Sequence, residues 1–112
     1  MNKVIYVAAP YTHPDYKEIE RRMLKVNWYC SILLMKEQCA ILSPLTMGHA
    51  WQENNEHLPH VGSFWLDWCG QLIKLSTELH VLKLTGWEES AGVTQEIEWA
   101  KELGIEIKYI TL

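Results

Sequence analysis

The sequence predicts a single α/β domain with an open, mostly parallel sheet of about four or five strands and helices on both faces. Two observations carry this prediction. Short runs rich in β-branched residues alternate along the chain with longer stretches in which apolar residues recur every three or four positions. The chain has 112 residues, enough for one hydrophobic core and too few for two domains.

The strands are predicted from short apolar segments bounded by turn-forming residues. Residues 3–8 (KVIYVA) are apolar at nearly every position, which indicates a strand buried on both faces, and a Pro-containing loop follows them. The same reasoning predicts further strands at residues 39–42, 79–84 and 105–110.

Three helices are predicted, at residues 16–38, 63–75 and 91–103. Asp15 and Ser63 are positioned to cap the first two. The first carries one apolar stripe, formed by Ile19, Met23, Val26, Cys30 and Leu33. Residues 45–62 show neither helical nor strand periodicity, so we expect an ordered loop there, serving as a lid or a subunit contact.

Glu96 is the most informative residue of the third helix. In a helix beginning at Ala91 it falls inside the apolar arc with Val93 and Ala100, whereas Glu98 points the opposite way. An unpaired buried carboxylate is costly, and it is usually paired, hydrogen-bonded or protonated through a raised pKa. Glu96 is therefore expected to be either paired structurally or used chemically.

Three loops are expected to meet where the strands end, because open α/β sheets bind ligands beyond the carboxyl ends of their strands. These loops supply the candidate substrate-binding residues Ala8, Pro10, Tyr11, Ser43, His49, Ser90 and Gly92. At the start of the third helix, free backbone N–H groups around Gly92 could hold a phosphate or a sugar hydroxyl. Ser90 could equally be a plain N-cap.

Arg22 is a further candidate for the substrate site. It lies at the edge of the apolar stripe of the first helix, between Ile19 and Val26. From this position the guanidinium either reaches inward, to a bound anion or to Glu96, or is solvated on the helix surface.

Composition narrows the classes of partner and cofactor. The net charge is −4, and only Arg21 and Arg22 are adjacent basic residues, which argues against a polymeric nucleic acid. No dinucleotide or P-loop motif occurs, and the five histidines lack metal-binding spacings, so no cofactor and no metal are expected. The three cysteines show no CxxC pair, which fits a reducing cytoplasm.

Neither a signal peptide nor a membrane span is expected. The chain passes from Met1 directly into a strand-like run. No apolar stretch reaches the roughly 18 residues that a span requires.

Four segments together resemble the nucleoside 2-deoxyribosyltransferase-like superfamily, and within it the small α/β members of phage or bacterial origin. They are residues 5–13 (IYVAAPYTH), 41–46 (ILSPLT), 64–66 (FWL) and 86–96 (GWEESAGVTQE). The last segment is the most specific of the four. They occur in the expected order over nearly the whole chain, so one domain comprising residues 1–112 is expected.

The resemblance implies a flavodoxin-like three-layer fold and a nucleoside or nucleoside 5′-monophosphate as ligand. It implies cleavage or exchange of the N-glycosidic bond, with Glu96 as the nucleophile in the S-x-G-x-x-x-E pattern. Tyr11 would position the sugar or the carboxylate, and Ser90 and Gly92 would hold the 5′ side or its phosphate. Members of the superfamily are commonly homo-oligomers, so we expect a homo-oligomer here.

The sequence departs from the pattern of its relatives at two positions. Ala9 stands where relatives often have glycine, a small change. Cys69 stands where they carry an aspartate, which is a plausible proton donor to the departing base. Asp67 is the nearest carboxylate and the candidate replacement, but two residues turn a helical side chain by about 200°, so it requires a change of register.

The departure at Cys69 leaves two other readings of the sequence open. The chain could be a catalytically inactive nucleotide or nucleotide-sugar binding module. It could also be an interaction protein that uses its tryptophan-rich segment at residues 51–68.

Overall fold

A computed structural model describes residues 3–53 and 55–112. Strands and helices alternate along the chain, with two helices between the second and third strands. In chain order the elements are β1 (Val4–Ala8), α1 (Tyr16–Glu37), β2 (Ala40–Leu42), α2 (Pro44–Gln52), α3 (Gly62–Ile73), β3 (Glu78–Leu82), α4 (Ala91–Leu103) and β4 (Glu106–Ile110).

The four strands form one parallel sheet in the order β2-β1-β3-β4. α1 packs on one face of the sheet, while α3 and α4 pack on the other. The predicted α/β class is therefore confirmed, and the arrangement is consistent with a flavodoxin-like three-layer fold.

The alternation of side chains along β1 divides the core into two layers. Ile5 and Val7 face α1, and Tyr6 and Ala8 face α3 and α4. These four residues are fully buried, as expected for an inner strand of a parallel sheet covered on both faces. Tyr6 therefore brings a hydroxyl into an otherwise aliphatic strand.

The chain changes direction across the sheet between β1 and β3. The connection after β1 runs through α1 to β2 on one side, whereas the connection after β2 crosses β1 to reach β3 on the other side. The loops that follow β1 and β3 therefore lie beside the topological switch point, where ligands of open α/β sheets bind.

Residues 44–52 form a helix, so the expected loop at 45–62 is wrong over this part. Pro44 occupies the first helical turn, which suits a residue without a backbone N–H. Gly48 lets α2 approach α3, since an added Cβ would lie only 3.1 Å from the Trp65 ring. Short length and a central glycine leave little periodicity in the sequence, and packing decides the conformation.

The predicted helix caps have different outcomes. Asp15 caps α1 as expected, because its side chain accepts a hydrogen bond from the Lys17 N–H at 3.0 Å. Ser63 does not cap α3, which begins one residue earlier with Val61 at the cap position. The expectation for Ser63 is therefore wrong.

The outer face of α1 carries an exposed apolar row that we call the α1 stripe: Leu24, Trp28, Ile32 and Met35. Its members recur every three or four residues and so lie on one side of the helix.

Within the described ranges, no helix combines the length and the apolar character needed to traverse a bilayer.

Candidate functional site

Glu96 lies at the inner end of a cavity near the carboxyl edge of the sheet. It is only 6% exposed, and it accepts a hydrogen bond on Oε2 from the hydroxyl of Tyr6. Across residues 3–53 and 55–112, no Lys, Arg or His forms an ion pair with it. Burial raises the pKa of Glu96 to about 7, and the Tyr6 hydrogen bond opposes part of this rise.

Tyr6 and Cys69 surround the carboxylate with uncharged groups. Burial, followed by the negative charge of Glu96, raises the pKa of Tyr6 far above its usual range, so the hydroxyl remains a donor. The Cys69 thiol lies beside this hydroxyl, and burial raises its pKa to about 11. A protonated thiol is a poor nucleophile, so Cys69 does not compete with Glu96 for that role.

The cavity in front of Glu96 has a volume of about 260 Å³. Its wall includes the aromatic rings of Trp65 and Trp68, whose centroids lie 5.8 Å apart in an edge-to-face arrangement. Its polar side chains include Tyr11, His49, Gln52 and His60. Flat rings beside a few convergent polar groups suit a planar heterocycle.

Tyr11 and His49 are joined within this cavity by a hydrogen bond of 2.7 Å between the hydroxyl and Nδ1. The other ring nitrogen of His49, Nε2, lies 3.5 Å from Oε1 of Glu53. Glu53 also accepts a hydrogen bond from the hydroxyl of Tyr16. A chain of polar contacts therefore runs from the surface carboxylate of Glu53 to Tyr11, with a 3.5 Å contact between Glu53 and His49 and a hydrogen bond between His49 and Tyr11.

Arg22 lines a second cavity, of about 390 Å³, which adjoins the first. Arg22 is 7% exposed as a residue, and its guanidinium donates to the backbone carbonyls of Tyr11 at 3.2 Å, Thr12 at 3.1 Å and Thr85 at 3.1 Å. It thereby ties the loop after β1 to the loop after β3. Neither a solvated position nor a pair with Glu96 is observed, so both of those readings of Arg22 are wrong.

The N-terminus of α4 lines the same second cavity. Ser90 caps the helix by accepting a hydrogen bond from the Val93 N–H at 3.2 Å. Ala91 and Gly92 also line the cavity, and their first-turn N–H groups have no intrahelical carbonyl partner. Gly86 adopts a φ of 89°, a conformation that favours glycine, and it passes close to Arg22.

The two cavities share Tyr11 and Thr12 and so form one crevice with two chemically different ends. One end has a cation and a helix N-terminus, which favour an anion. The other has a buried carboxylate and aromatic rings. Pro10, on the loop after β1, lines the cationic end.

A family model described as Domain of unknown function (DUF1937) matches residues 3–111. The chain belongs to the DUF1937 family. None of the curated proteins matches it.

Three of the sequence-predicted site residues lie outside the crevice of this DUF1937 domain. Ala8 is packed in the core against α3 and α4. Ser43 is buried elsewhere and shares a 2.7 Å hydrogen bond with the Thr46 hydroxyl. Asp67 is exposed and lines a separate cavity beside Trp99, as expected when α3 keeps its register. The structure therefore brings together Glu96, Tyr11, His49, Pro10, Arg22, Ser90 and Gly92.

Tyr6 and Glu53 are parts of the site that the sequence reasoning missed. A signal for Tyr6 was available, because a tyrosine in an aliphatic inner strand needs a buried partner for its hydroxyl. Glu53 gave no comparable signal, since it follows a helix that the sequence did not reveal. In the part of the chain that the structure describes, His, Cys, Asp and Glu side chains form no group of three or more that could hold a metal ion.

Proposed function

We propose that this protein cleaves the N-glycosidic bond of a nucleoside or (deoxy)nucleoside 5′-monophosphate, with Glu96 as the nucleophile. The sugar is then released to water or transferred to a second base. The observation that carries the proposal is the position of Glu96. It is a buried carboxylate that lines a cavity, has no cationic partner among the residues that the structure describes, and accepts a hydrogen bond from one neutral donor, Tyr6. Perturbed carboxyl groups in clefts are frequent at catalytic sites.

In the proposed reaction, a Glu96 carboxylate oxygen attacks the anomeric carbon as the bond to the base nitrogen breaks. The electron pair of that bond leaves with the base, and a glycosyl ester of Glu96 forms. Water or a second base then attacks the anomeric carbon and releases the carboxylate. Tyr6 orients the reacting carboxylate and stabilises its ionised form.

The second cavity supports a 5′-phosphate as part of the substrate. Arg22 supplies a positive charge, and the first-turn N–H groups of Ala91 and Gly92 supply anion-binding donors in the same cavity. A nucleotide lying across Tyr11 and Thr12 would place its phosphate at this end and its base against Trp65 and Trp68. This orientation would bring the sugar between them, toward Glu96.

A catalytically inactive binding module is the second candidate, and Cys69 favours it. The thiol lines the Glu96 cavity and has a pKa of about 11 after burial. It is therefore a weak proton donor at the position where an aspartate stands in the similar superfamily. Such a module would keep the crevice and bind a nucleotide without breaking it.

The proposal extends to the assembly and location of the protein. The α1 stripe, with Trp28 at its centre, is an apolar surface of the kind that is often covered in oligomers, and it supports a homo-oligomer. All three cysteines are free thiols, which fits a reducing cytoplasm. A mass measurement in solution tests the assembly, and a strict monomer contradicts it.

The decisive experiment incubates the protein with a panel of deoxynucleosides and their 5′-monophosphates and measures free base by chromatography. Release by the wild type and loss of release in Glu96→Ala support the glycosidase. Glu98→Ala is the matched control, because Glu98 is exposed on the same helix. Retained release in Glu96→Ala contradicts the nucleophile, and saturable binding without release supports the binding module.

A further inference from the structure

The proposed reaction requires a proton donor to the departing base in the Glu96 cavity. A departing purine or pyrimidine needs a proton or a hydrogen bond at the nitrogen or oxygen that receives the electron pair. Glu96 is occupied as the nucleophile, the Cys69 thiol has a pKa of about 11, and Asp67 lies on a separate cavity. Of the other polar side chains on the wall, Gln52 and His60 are paired with each other, whereas Tyr11 and His49 belong to the chain of contacts that continues to Glu53.

The two nitrogens of His49 have different partners, and this difference gives the chain a direction. Nε2 faces the Glu53 carboxylate at 3.5 Å, which favours a proton on that nitrogen. Nδ1 shares a 2.7 Å hydrogen bond with the Tyr11 hydroxyl. Neutral His49 then accepts the Tyr11 proton on Nδ1, whereas the imidazolium donates from Nδ1 and leaves the Tyr11 proton free for a substrate atom.

These contacts join the loop after β1 to α2 and the residue that ends it. Tyr11 lies in the loop after β1, His49 on α2, and Glu53 directly after α2. Tyr16 of α1 stacks on the His49 ring with centroids 6.1 Å apart and also donates to Glu53. His49 is held from both sides, and its side chain is 17% exposed.

On the basis of the proposed function, we propose that Tyr11 is the acid that protonates the departing base, that His49 resupplies its proton, and that Glu53 positions His49. Tyr11 is the catalytic residue of the three because its hydroxyl gives the proton to the substrate, whereas His49 and Glu53 act through Tyr11 and are positioning residues.

The proton transfers balance over the reaction. As the bond between the sugar and the base breaks, the Tyr11 hydroxyl gives its proton to the base, and the Tyr11 oxygen takes the Nδ1 proton of the His49 imidazolium. His49 is then neutral and keeps its Nε2 proton toward Glu53. In the second half, the water or base that attacks the glycosyl ester loses one proton, which returns through Tyr11 to His49.

The surroundings of Tyr11 favour this role. Partial burial, followed by the negative charge of Glu53, raises the pKa of Tyr11, which keeps the hydroxyl protonated at neutral pH but leaves it, like the Cys69 thiol, a weak acid by itself. Tyr11 differs from Cys69 in its hydrogen bond to His49 Nδ1, through which the imidazolium returns a proton as the hydroxyl releases its own. Its backbone carbonyl is held by Arg22 at 3.2 Å, which fixes the loop independently of the hydroxyl. Tyr11→Phe therefore removes the donor and keeps the contact that places the loop.

A pair of substrates isolates the proton donation. An ordinary purine deoxynucleoside needs a proton on its departing base, whereas the N7-methylated form is already cationic and departs as a neutral base. Tyr11→Phe is expected to lower kcat about a hundredfold on the ordinary substrate and less than about threefold on the methylated one. His49→Gln is expected to show the same selectivity with a smaller loss.

Controls separate this inference from the function on which it depends. His57→Gln changes an exposed histidine that takes no part in the Tyr11–His49–Glu53 contacts, and both substrates should react at the wild-type rate. Equal losses of kcat on the two substrates in Tyr11→Phe overturn the proton relay but do not contradict the glycosidase. If Tyr11→Phe does not fold, the same comparison is made with His49→Gln. Failure of the wild type to release base from either substrate overturns the glycosidase itself.

Discussion

Two buried glutamates, Glu78 and Glu96, lie at opposite ends of the same fold and have opposite electrostatic surroundings. Glu78 begins β3 at the amino edge of the sheet and is 8% exposed, nearly as buried as Glu96 at 6%. Burial raises the pKa of Glu78, but hydrogen bonds from His80, Lys3 and Lys108 outweigh it and bring the pKa down to about 2. Burial raises the pKa of Glu96 to about 7, and the Tyr6 hydrogen bond offsets only part of that rise.

The partners of Glu78 form a network of ion pairs and hydrogen bonds around its carboxylate. Lys3 Nζ lies 3.1 Å from Oε2, and Lys108 Nζ lies 3.3 Å from Oε1. His80 Nε2 lies 3.0 Å from Oε1, and its Nδ1 shares a 2.6 Å hydrogen bond with the Tyr29 hydroxyl. This carboxylate therefore links Lys3, directly before β1, to β3 and β4.

The difference teaches that burial by itself does not mark a functional carboxylate. Glu78 is paired, so its charge is used to hold the sheet together. Glu96 lacks a cationic partner in the described part of the chain and lines a cavity, so its charge is available to a ligand. Four predictions test this distinction, from the largest effect to the smallest.

The largest effect is expected for the activity of Glu96→Gln. Loss of the nucleophile should lower kcat about a thousandfold or more, whereas Glu78→Gln should retain the wild-type kcat per folded molecule. Base release, normalised to folded protein measured by circular dichroism, checks this. Equal losses in the two variants would mean that Glu96 has no special chemical role.

The second effect is on the pH dependence of stability. The folded pKa of Glu96 is about 7 and its unfolded value 4.5, so its stabilising contribution is complete below 4.5 and is lost as pH rises through 7. As pH rises through this range, the wild type should lose about 3 kcal/mol of unfolding free energy. Glu96→Gln cannot ionise at this position and should not show the loss. Urea unfolding at pH 5 and pH 9 measures the difference, and an unchanged gap between variant and wild type would contradict the prediction.

The third effect has the opposite sign for Glu78. Because its pKa is lowered to about 2, its contribution is present above the unfolded value of 4.5 and is lost as pH falls toward 2. Glu78→Gln should cost about 1–3 kcal/mol at pH 7, since a neutral amide replaces the negative charge that His80 and two lysines contact. The cost should shrink in acid. Unfolding curves at pH 7 and pH 3 test this, and a cost that stays constant would count against the network.

The smallest effect is expected for Tyr6→Phe. Removing the donor to Oε2 should raise the pKa of Glu96 further and move the acid limb of the kcat profile upward by about one pH unit. Activity should fall about tenfold at pH 6 and much less at pH 9. A pH series of base release measures this. A uniform loss at every pH would assign Tyr6 a packing role only.

Several features of the fold and site could be predicted from the sequence because they depend on neighbours along the chain. The alternation of strands and helices, the cap at Asp15 and the position of Glu96 on the inner face of α4 are of this kind. Periodicity reports which face of an element is buried, and it did so correctly for α4.

Tertiary structure decided which residues meet across the chain. Tyr6 and Glu96 are 90 positions apart in the sequence. Their hydrogen bond forms because β1 lies beside β3, so that α4 covers the face of the sheet from which the Tyr6 side chain projects. Arg22 likewise reaches the carbonyl of Thr85 across 63 positions. Such contacts depend on strand order and register, which local periodicity does not encode.

The sequence by itself therefore determined the layered α/β architecture and the burial of one carboxylate. Only the folded chain decided that Glu78 meets cations while Glu96 meets a tyrosine, that Asp67 turns away from the cavity, and that Tyr11, His49 and Glu53 form a connected chain. The physical reason is that burial follows from the pattern of neighbouring residues, whereas the partners of a buried charge come from elements brought together by the packing of the sheet.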